Sequence, residues 1–455
     1  MRILLLQSNL GRPEPLGLIF PIGLCYIASS LTDAHEVSVV DLNLCKDAYK
    51  ELDETLRSFK PDCVGISLRN IDTTQKKDVF YYFKTVAPTA QAIKKVLPDV
   101  KLMIGGAGFS MFAEQIMRKV PELDFGIYLE GEESTPELMR NLSRPEAVKG
   151  VFYRKNGKVV FTGPRELPDF AAIAYPKRHF VNVKEYLRLS SNNIGIQTKR
   201  GCPLKCSYCS YPFLNGAKTR LRTAKSVVDE IEYLIKEFDI KGFTFVDSIF
   251  NVPNGHAESI CREIIKRGIK IRWDAWFEMR NFTAELASLA SDAGCVNVGF
   301  SPDAASNESL KALGKGLTEE DIYRVIGIAR RAKNISFGFG FFCTPPKQDF
   351  IGFLKMIKLY FIIPILLFGR GSVSVGWVRI EPETRMRRIA IDDGFIKEED
   401  NLLPEDEEGL KRLFYSSPKT RAYADPFFSA LVAFKAFARV YVRKILRRNT
   451  GRRSD

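Results

Sequence analysis

The sequence predicts an α/β protein in which a doubly wound parallel sheet is followed by a partial (βα)6 barrel and a helical C-terminal region. Three observations carry this reading. Short apolar runs alternate with stretches of helical period twice along the chain, a proline-containing connector separates the two alternations, and 455 residues are too many for one compact domain. With 45% hydrophobic and 27% charged residues, the chain has the composition of a folded globular protein.

The first alternation occupies residues 1–142. "RILLLQSN", "VSVVDLN", "CVGISLRN", "KLMIGGAG" and "FGIYLEGE" read as strands, and "PIGLCYIASSL", "DAYKELDETLRSF", "TAQAIKKVL", "FAEQIMRKV" and "TPELMRNL" read as helices between and after them. Five such units with right-handed crossovers make a parallel sheet covered on both faces. Ligands of this architecture bind beyond the carboxyl ends of the strands. The residues there are small or polar, and they are the candidate binding set: Ser8, Asn9, Asp41, Ser67, Arg69, Asn70, Gly105, Gly106, Glu130, Gly131 and Glu132. No G-x-G-x-x-G follows the first strand, which disfavours a dinucleotide.

Residues 143–190 form a connector. "GVFYRKNGKVVF" alternates around Asn156-Gly157, a strong hairpin signal. The second alternation lies within residues 191–400, with strand candidates "NIGIQTKR", "GFTFVDS", "IKIRWDAWF", "CVNVGFSPD", "ISFGFGFFCT" and "SVSVGWVRI". Six units are fewer than a closed barrel needs, so the barrel is expected to stay open. Residues 401–455 read as a helical, basic extension that holds much of the chain's net charge of +14. Phe427, Leu431, Phe434, Phe437, Tyr441 and Ile445 recur there at helical spacing beside Lys435, Arg439, Arg443 and Lys444. That pattern suits either an anionic membrane surface or a helix packed on the protein. "YFIIPILLFG" is too short to span a bilayer. The start, "MRILLLQSNLG", reads as a buried strand without a secretory cleavage site, so the expected location is the cytoplasm, with the membrane surface as a second station.

The chemistry concentrates in "RGCPLKCSYCSYP", where Cys202, Cys206 and Cys209 follow the first barrel strand. The other six cysteines stand singly in apolar or helical stretches and read as core. Structural zinc normally takes four protein ligands, and no fourth Cys or His lies within forty residues after Cys209. A four-iron four-sulfur cluster is usually held by four thiolates; held by three, it keeps one iron open for a substrate or cosubstrate.

C-x3-C-x2-C at this place resembles the radical S-adenosylmethionine (SAM) enzymes, and the resemblance covers nearly the whole chain. It implies that Cys202, Cys206 and Cys209 hold a 4Fe-4S cluster whose open iron binds SAM, which is cleaved reductively to a 5′-deoxyadenosyl radical. It also implies cofactor contacts at Tyr208, beside adenine, and at Asp247, at the end of "FTFVDSIFN". In "GFSPDAASNESLKALGKGLT" it implies an acidic contact at Asp303 and a final serine at Ser306, although Pro302 departs from the family's usual wording. The first domain, with "DCVGISLRNID", "KLMIGGAGFS" and "YLEGEE", looks like the Rossmann-like cobalamin-binding domain of one large subgroup. The D-x-H-x-x-G signature of classical cobalamin domains is missing, so any cobalamin is expected to lack a protein histidine ligand; Arg69 is placed to approach the lower face of the corrin.

The activity this resemblance implies is methylation of an unactivated carbon in a small-molecule or lipid-like substrate, with flavodoxin or ferredoxin as electron donor. A radical SAM oxidoreductase, cyclase or isomerase is the enzymatic alternative, and an iron-sulfur sensor or electron carrier the non-enzymatic one. The positive charge alone would also admit nucleic acid, but no RNA-binding module accompanies it, so that partner is not expected.

Overall fold

In the computed structural model, which describes residues 1–7, 19–190 and 192–431, the first alternation forms one sheet. Strands β1 (Arg2–Gln7), β2 (Glu36–Asp41), β3 (Cys63–Ser67), β4 (Lys101–Gly105) and β5 (Phe125–Ile127) run parallel in the order β2-β1-β3-β4-β5. Successive side chains serve opposite faces. Ile3, Leu5, Cys63 and Met103 pack with helix Ile22–Leu31, whereas Leu4, Leu6, Val64 and Ile104 pack with helices Ala48–Phe59 and Val86–Val96. Burial on both sides explains why these strands read as continuous apolar runs. The strand order reverses between β1 and β3, which opens a crevice at their carboxyl ends.

The hairpin expected in the connector is present as β6 (Val151–Lys155) and β7 (Lys158–Phe161), and β6 pairs antiparallel with β5. Asn156 and Gly157 both have positive φ, 51° and 74°, as a two-residue turn matched to the strand twist requires.

The second alternation forms an open barrel. β8 (Gly195–Ile196) is followed by a short ribbon of β9 (Lys199–Arg200) and β10 (Arg220–Leu221). Then come β11 (Gly242–Phe245), β12 (Arg272–Phe277), β13 (Cys295–Asp303), β14 (Ser336–Phe342) and β15 (Gly371–Gly376). The six barrel strands lie in chain order from β8 to β15, all parallel, and the two edges do not pair. Phe243, Phe245, Trp273, Phe277, Phe300, Phe337 and Phe339 point outward beneath the helices and are buried. Thr223, Thr283 and Thr318 cap three of those helices by accepting backbone N–H groups.

Beyond the barrel, β16 (Val378–Arg379) pairs with β17 (Phe414–Tyr415), and Ile380, Met386, Leu403, Leu410 and Tyr415 join the core on one face of the first sheet. A buried Arg379–Asp72 ion pair at 3.1 Å and a Tyr81 hydroxyl donating to the Pro404 carbonyl at 2.7 Å fix this clasp. It holds the carboxyl edge of the sheet against the barrel mouth.

Of the six isolated cysteines, Cys25, Cys63, Cys261, Cys295 and Cys343 are buried and Cys45 is half-buried. Among the described residues, no helix is long and apolar enough to cross a membrane. Residues 421–431 are helical, and the rest of the expected basic helix lies outside the described residues.

Candidate active site

The cysteine loop is held by its backbone. The Cys202 N–H donates to the Gly216 carbonyl at 3.0 Å, Ser207 N–H to Leu313 at 2.8 Å, and Met386 N–H to Ser207 at 2.8 Å. Gly201 enters the loop with φ 87°, and a Cβ there would fall 2.0 Å from the Lys218 carbonyl oxygen. Only glycine fits.

Burial pushes the Cys209 thiol up to about 12 and also raises Cys206; the neighbouring thiols add to both. Lys315 pulls Cys206 back down. Thiols raised as Cys206 and Cys209 are need a positive centre beside them to become thiolates. Among the described residues, no three His, Cys, Asp or Glu groups converge as ligands of one metal ion. A cluster meets that geometry differently, because each thiolate binds its own iron. The all-sulfur donor set therefore fits iron-sulfur better than zinc or a hard cation.

Tyr208, inside the loop, donates its hydroxyl to Asp303 at the end of β13. Lys315 completes the group, 2.7 Å from Asp303 and 3.4 Å from the Tyr208 hydroxyl. Asp303 itself adopts φ 68°, a conformation that costs energy outside glycine and that these contacts hold in place. Sequence reasoning missed Lys315, although it stands in the same quoted stretch as Asp303. Ser306 accepts the Ser309 N–H at 3.4 Å and caps helix Asn307–Ala312.

Asp247 turns inward. Its oxygens accept from the Thr198 N–H at 2.8 Å, the Thr198 hydroxyl at 2.5 Å and the Lys199 N–H at 3.3 Å. Burial raises its carboxyl pKa against the pull of Lys199. This side chain braces the segment that leads into the cysteine loop.

A cavity of about 230 Å³ lies at the crevice of the first sheet. Ser67, Gly105, Gly106, Glu130, Gly131 and Glu132 line it, as their place at strand ends implies; Gln197, Arg200, Leu214 and Asn215 line it from the barrel side. Leu5, Ile22, Gly65 and Met103 extend it between the sheet and helix Ile22–Leu31. Gly106 has φ 104°, and a Cβ there would meet the Leu68 carbonyl oxygen at 2.5 Å. Its conformation lets the chain turn sharply at the cavity.

Glu130 and Glu132 do more than line this cavity. Arg200 donates to Glu130 at 2.9 Å and to Glu132 at 2.5 Å, and Arg220 donates to Glu130 as well. Burial works against the Arg200 charge, but Glu132 and Glu130 raise its pKa on balance. These pairs lock the sheet edge to the segment carrying the cysteines.

Asp41 is directed elsewhere: it accepts from Asn43 at 2.9 Å and takes the Tyr186 hydroxyl, so it fastens the connector. The backbone of Asn70 packs where a Cβ on Gly108 would lie, 2.7 Å away. Arg69 extends near Tyr211 and Tyr82 and keeps open surface, while surrounding protein atoms lower its pKa by desolvation. Ser8 and Asn9 lie outside the described residues. None of the three histidines lines the cavity.

An open (βα)6 barrel with a three-cysteine loop at its mouth defines a radical SAM protein, and the comparisons agree: residues 196–357 match the Radical SAM superfamily. Residues 14–139 match the B12 binding domain, so the chain belongs to the radical SAM proteins that carry a B12-binding domain ahead of the barrel. An uncharacterized methyltransferase of Pyrococcus horikoshii, PH0819, is 29% identical over 68% of this chain and 66% of its own length. The anaerobic magnesium-protoporphyrin IX monomethyl ester cyclase of Rubrivivax gelatinosus is 28% identical over 72% and 60%. The chain thus spans about two thirds or less of these curated relatives. The solved structure of the radical SAM methyltransferase TsrM from Kitasatospora setae, with cobalamin and a [4Fe-4S] cluster bound, shares the fold. It superimposes with a TM-score of 0.76 at 23% identity, over 88% of this chain and 76% of that one. The cobalamin-dependent radical SAM enzyme OxsB gives 0.70 at 17% identity, over 91% and 64%.

Proposed function

We propose that this protein is a cobalamin-dependent radical SAM enzyme that methylates an unactivated carbon of a small molecule, with residues 1–142 as the corrin-binding unit and 191–400 as the catalytic barrel. One observation carries the reading: the cavity at the sheet edge is walled on its far side by Gln197 and Arg200, the approach to the cysteine loop. Two cofactor sites therefore share a wall.

When bound, the cluster supplies an electron and an open iron for SAM, and cobalamin supplies a methyl carrier. The chain's residues do the rest. Cys202, Cys206 and Cys209 ligate, and Asp303 with Lys315 fixes Tyr208 beside them. The cavity beside Gly65 and Met103 would take a flat apolar portion of the corrinoid, and Arg69, exposed after β3 and outside the cavity lining, would offer it a cation. The Glu130, Glu132, Arg200 and Arg220 lock seals the junction from water, which reactive radicals require. Methyl transfer is supported by the names of the Pyrococcus relative and of TsrM; the Rubrivivax relative supports ring formation as the second reading. An external flavodoxin or ferredoxin is the proposed reductant.

The test is anaerobic incubation of the reduced, reconstituted chain with SAM deuterated in its methyl group. Label recovered in the corrinoid, together with 5′-deoxyadenosine, is the expected result. 5′-Deoxyadenosine without corrinoid label would favour the second reading, and neither product would count against both.

Gly105 gives a sharper handle. A Cβ there would meet nothing nearer than Ile127 at 3.5 Å, so leucine is accommodated by the fold while filling the cavity. Gly105→Leu is expected to weaken cobalamin retention on the order of tenfold or more, with iron content unchanged. Unaltered retention would remove the corrinoid from this cavity.

The surface suggests where the enzyme works. Phe350, Ile351, Leu354, Phe361, Ile365 and Phe368, on or just after helix Phe350–Leu366, are 47 to 73% exposed. Together with the basic residues of the C-terminal extension, this stripe suits an anionic bilayer surface. Co-sedimentation with phosphatidylglycerol vesicles is expected to fall on the order of tenfold in Ile365→Asp. Equal sedimentation of variant and parent would exclude the stripe as the contact.

A further inference from the structure

We infer that the barrel lumen is shaped for an uncharged substrate with a flat ring system, which stacks on Trp276; the inference rests on the radical SAM reading of the barrel mouth and names the substrate class for it. The parallel register places Trp276, Gly299, Gly338 and Ser372 in one row across β12 to β15. Alternation puts this row on the face opposite Phe277, Phe300 and Phe339, which are buried beneath the helices, so the row faces the lumen. Gly340 and Ser374 form the next row up, with Ser301 beside them, and Phe342 and Gly376 the one after.

Trp276 is the anchor. A Cβ on Gly299 would fall 2.8 Å from its indole, so the ring lies across that glycine and rests on bare backbone. Its remaining surface is open: Trp276 is 47% exposed, whereas Trp273 and Trp377 are at 0% and 6%. An indole held flat with one face free is a stacking platform.

The floor beyond it is cleared. A Cβ on Gly338 or Gly340 would meet nothing closer than 3.6 Å, one on Gly376 would meet nothing within 4 Å, and none of the three has positive φ. Neither packing nor backbone conformation requires glycine there. Glycine weakens a strand interior and marks places where a ligand approaches closely.

On β13 to β15 these rows consist of glycine, serine and Phe342. The acids two positions to either side of Trp276 are both engaged: Asp274, one row below, accepts from Asn192 at 2.8 Å and burial raises its pKa, and Glu278, buried just past the end of β12, pairs with Arg280 at 2.9 Å. At the upper end Phe342 meets Tyr208 edge-on, 4.9 Å between centroids, so a molecule stacked on Trp276 extends toward the cysteine loop.

The test is equilibrium dialysis of the reconstituted full chain against 1-naphthalenemethanol, a neutral flat probe, and 1-decanol, a flexible one, with iron content and SAM retention measured on the same samples. The flat probe is expected to bind more tightly. Trp276→Ala and Gly338→Leu, the second filling the lumen, are each expected to weaken it on the order of tenfold while iron and SAM are retained. Equal affinity in both variants, preference for decanol, no probe binding, or competitive displacement by SAM would overturn the inference. Loss of iron and SAM with probe binding intact would contradict the cofactor reading alone.

Discussion

Cys206→Ala is expected to lower iron from about four atoms per chain to below one and to abolish 5′-deoxyadenosine formation. A cluster already held by only three thiolates cannot give one up. The variant should still fold, because the loop is pinned by backbone bonds through Cys202, Ser207 and Met386 and not by the Cys206 side chain, which is only half-buried. Cys343→Ala is the control. Its thiol is buried against the Ala424 carbonyl, far in function from the loop, so iron should stay near four while stability falls slightly. Iron analysis of both variants checks the assignment. Equal iron in Cys206→Ala and parent would remove Cys206 from the ligand set.

The largest loss of stability is expected from Glu230→Ala. Glu230 is fully buried on helix Ala224–Phe238 and takes two guanidinium groups, Arg178 at 2.7 Å and Arg222 beside it. Arg178 comes from the connector, and its guanidinium also donates to the carbonyls of Pro176 and of Gly195 in β8. Removing the carboxylate leaves two buried cations without their counter-charge, a change that typically costs ~3–5 kcal/mol. Glu185→Ala breaks a solvent-exposed pair with Arg188 and should cost under ~0.5 kcal/mol. Urea denaturation followed by the loss of tertiary signal measures both. A Glu230→Ala variant within about 1 kcal/mol of the parent would show that the trio does not hold the connector to the barrel.

Much of the fold was legible because it is written locally. All five parallel strands of the first sheet and all six of the barrel appear as apolar runs, and the hairpin that extends the first sheet follows from Asn156-Gly157. The cysteine loop was legible because three cysteines sit within eight positions. The partners that complete the site were not. Glu130 meets Arg200 and Arg220 across 70 and 90 residues of chain, and only the docking of sheet against barrel brings them together. No periodicity encodes that.

Direction was equally hidden. Asp247 stands at a strand end, as a cofactor contact would, yet its carboxylate is occupied by Thr198 and Lys199. Asp41 is likewise bound to Asn43 and Tyr186. Position along a strand can be read from sequence, whereas the hydrogen-bond partners that decide where a carboxylate points cannot. Lys315 and Trp276 were missed for another reason: a single lysine in a polar loop and a single tryptophan in an apolar strand carry no pattern of their own.

The central claim, that one cleft holds both cofactors, is tested most directly by iron and cobalt content of the full chain after anaerobic reconstitution with iron, sulfide and hydroxocobalamin. About four irons and about one cobalt per chain are predicted. About four irons without cobalt would contradict the shared cleft and leave the first domain without its methyl carrier; cobalt without iron would take the cysteine loop out of the chemistry.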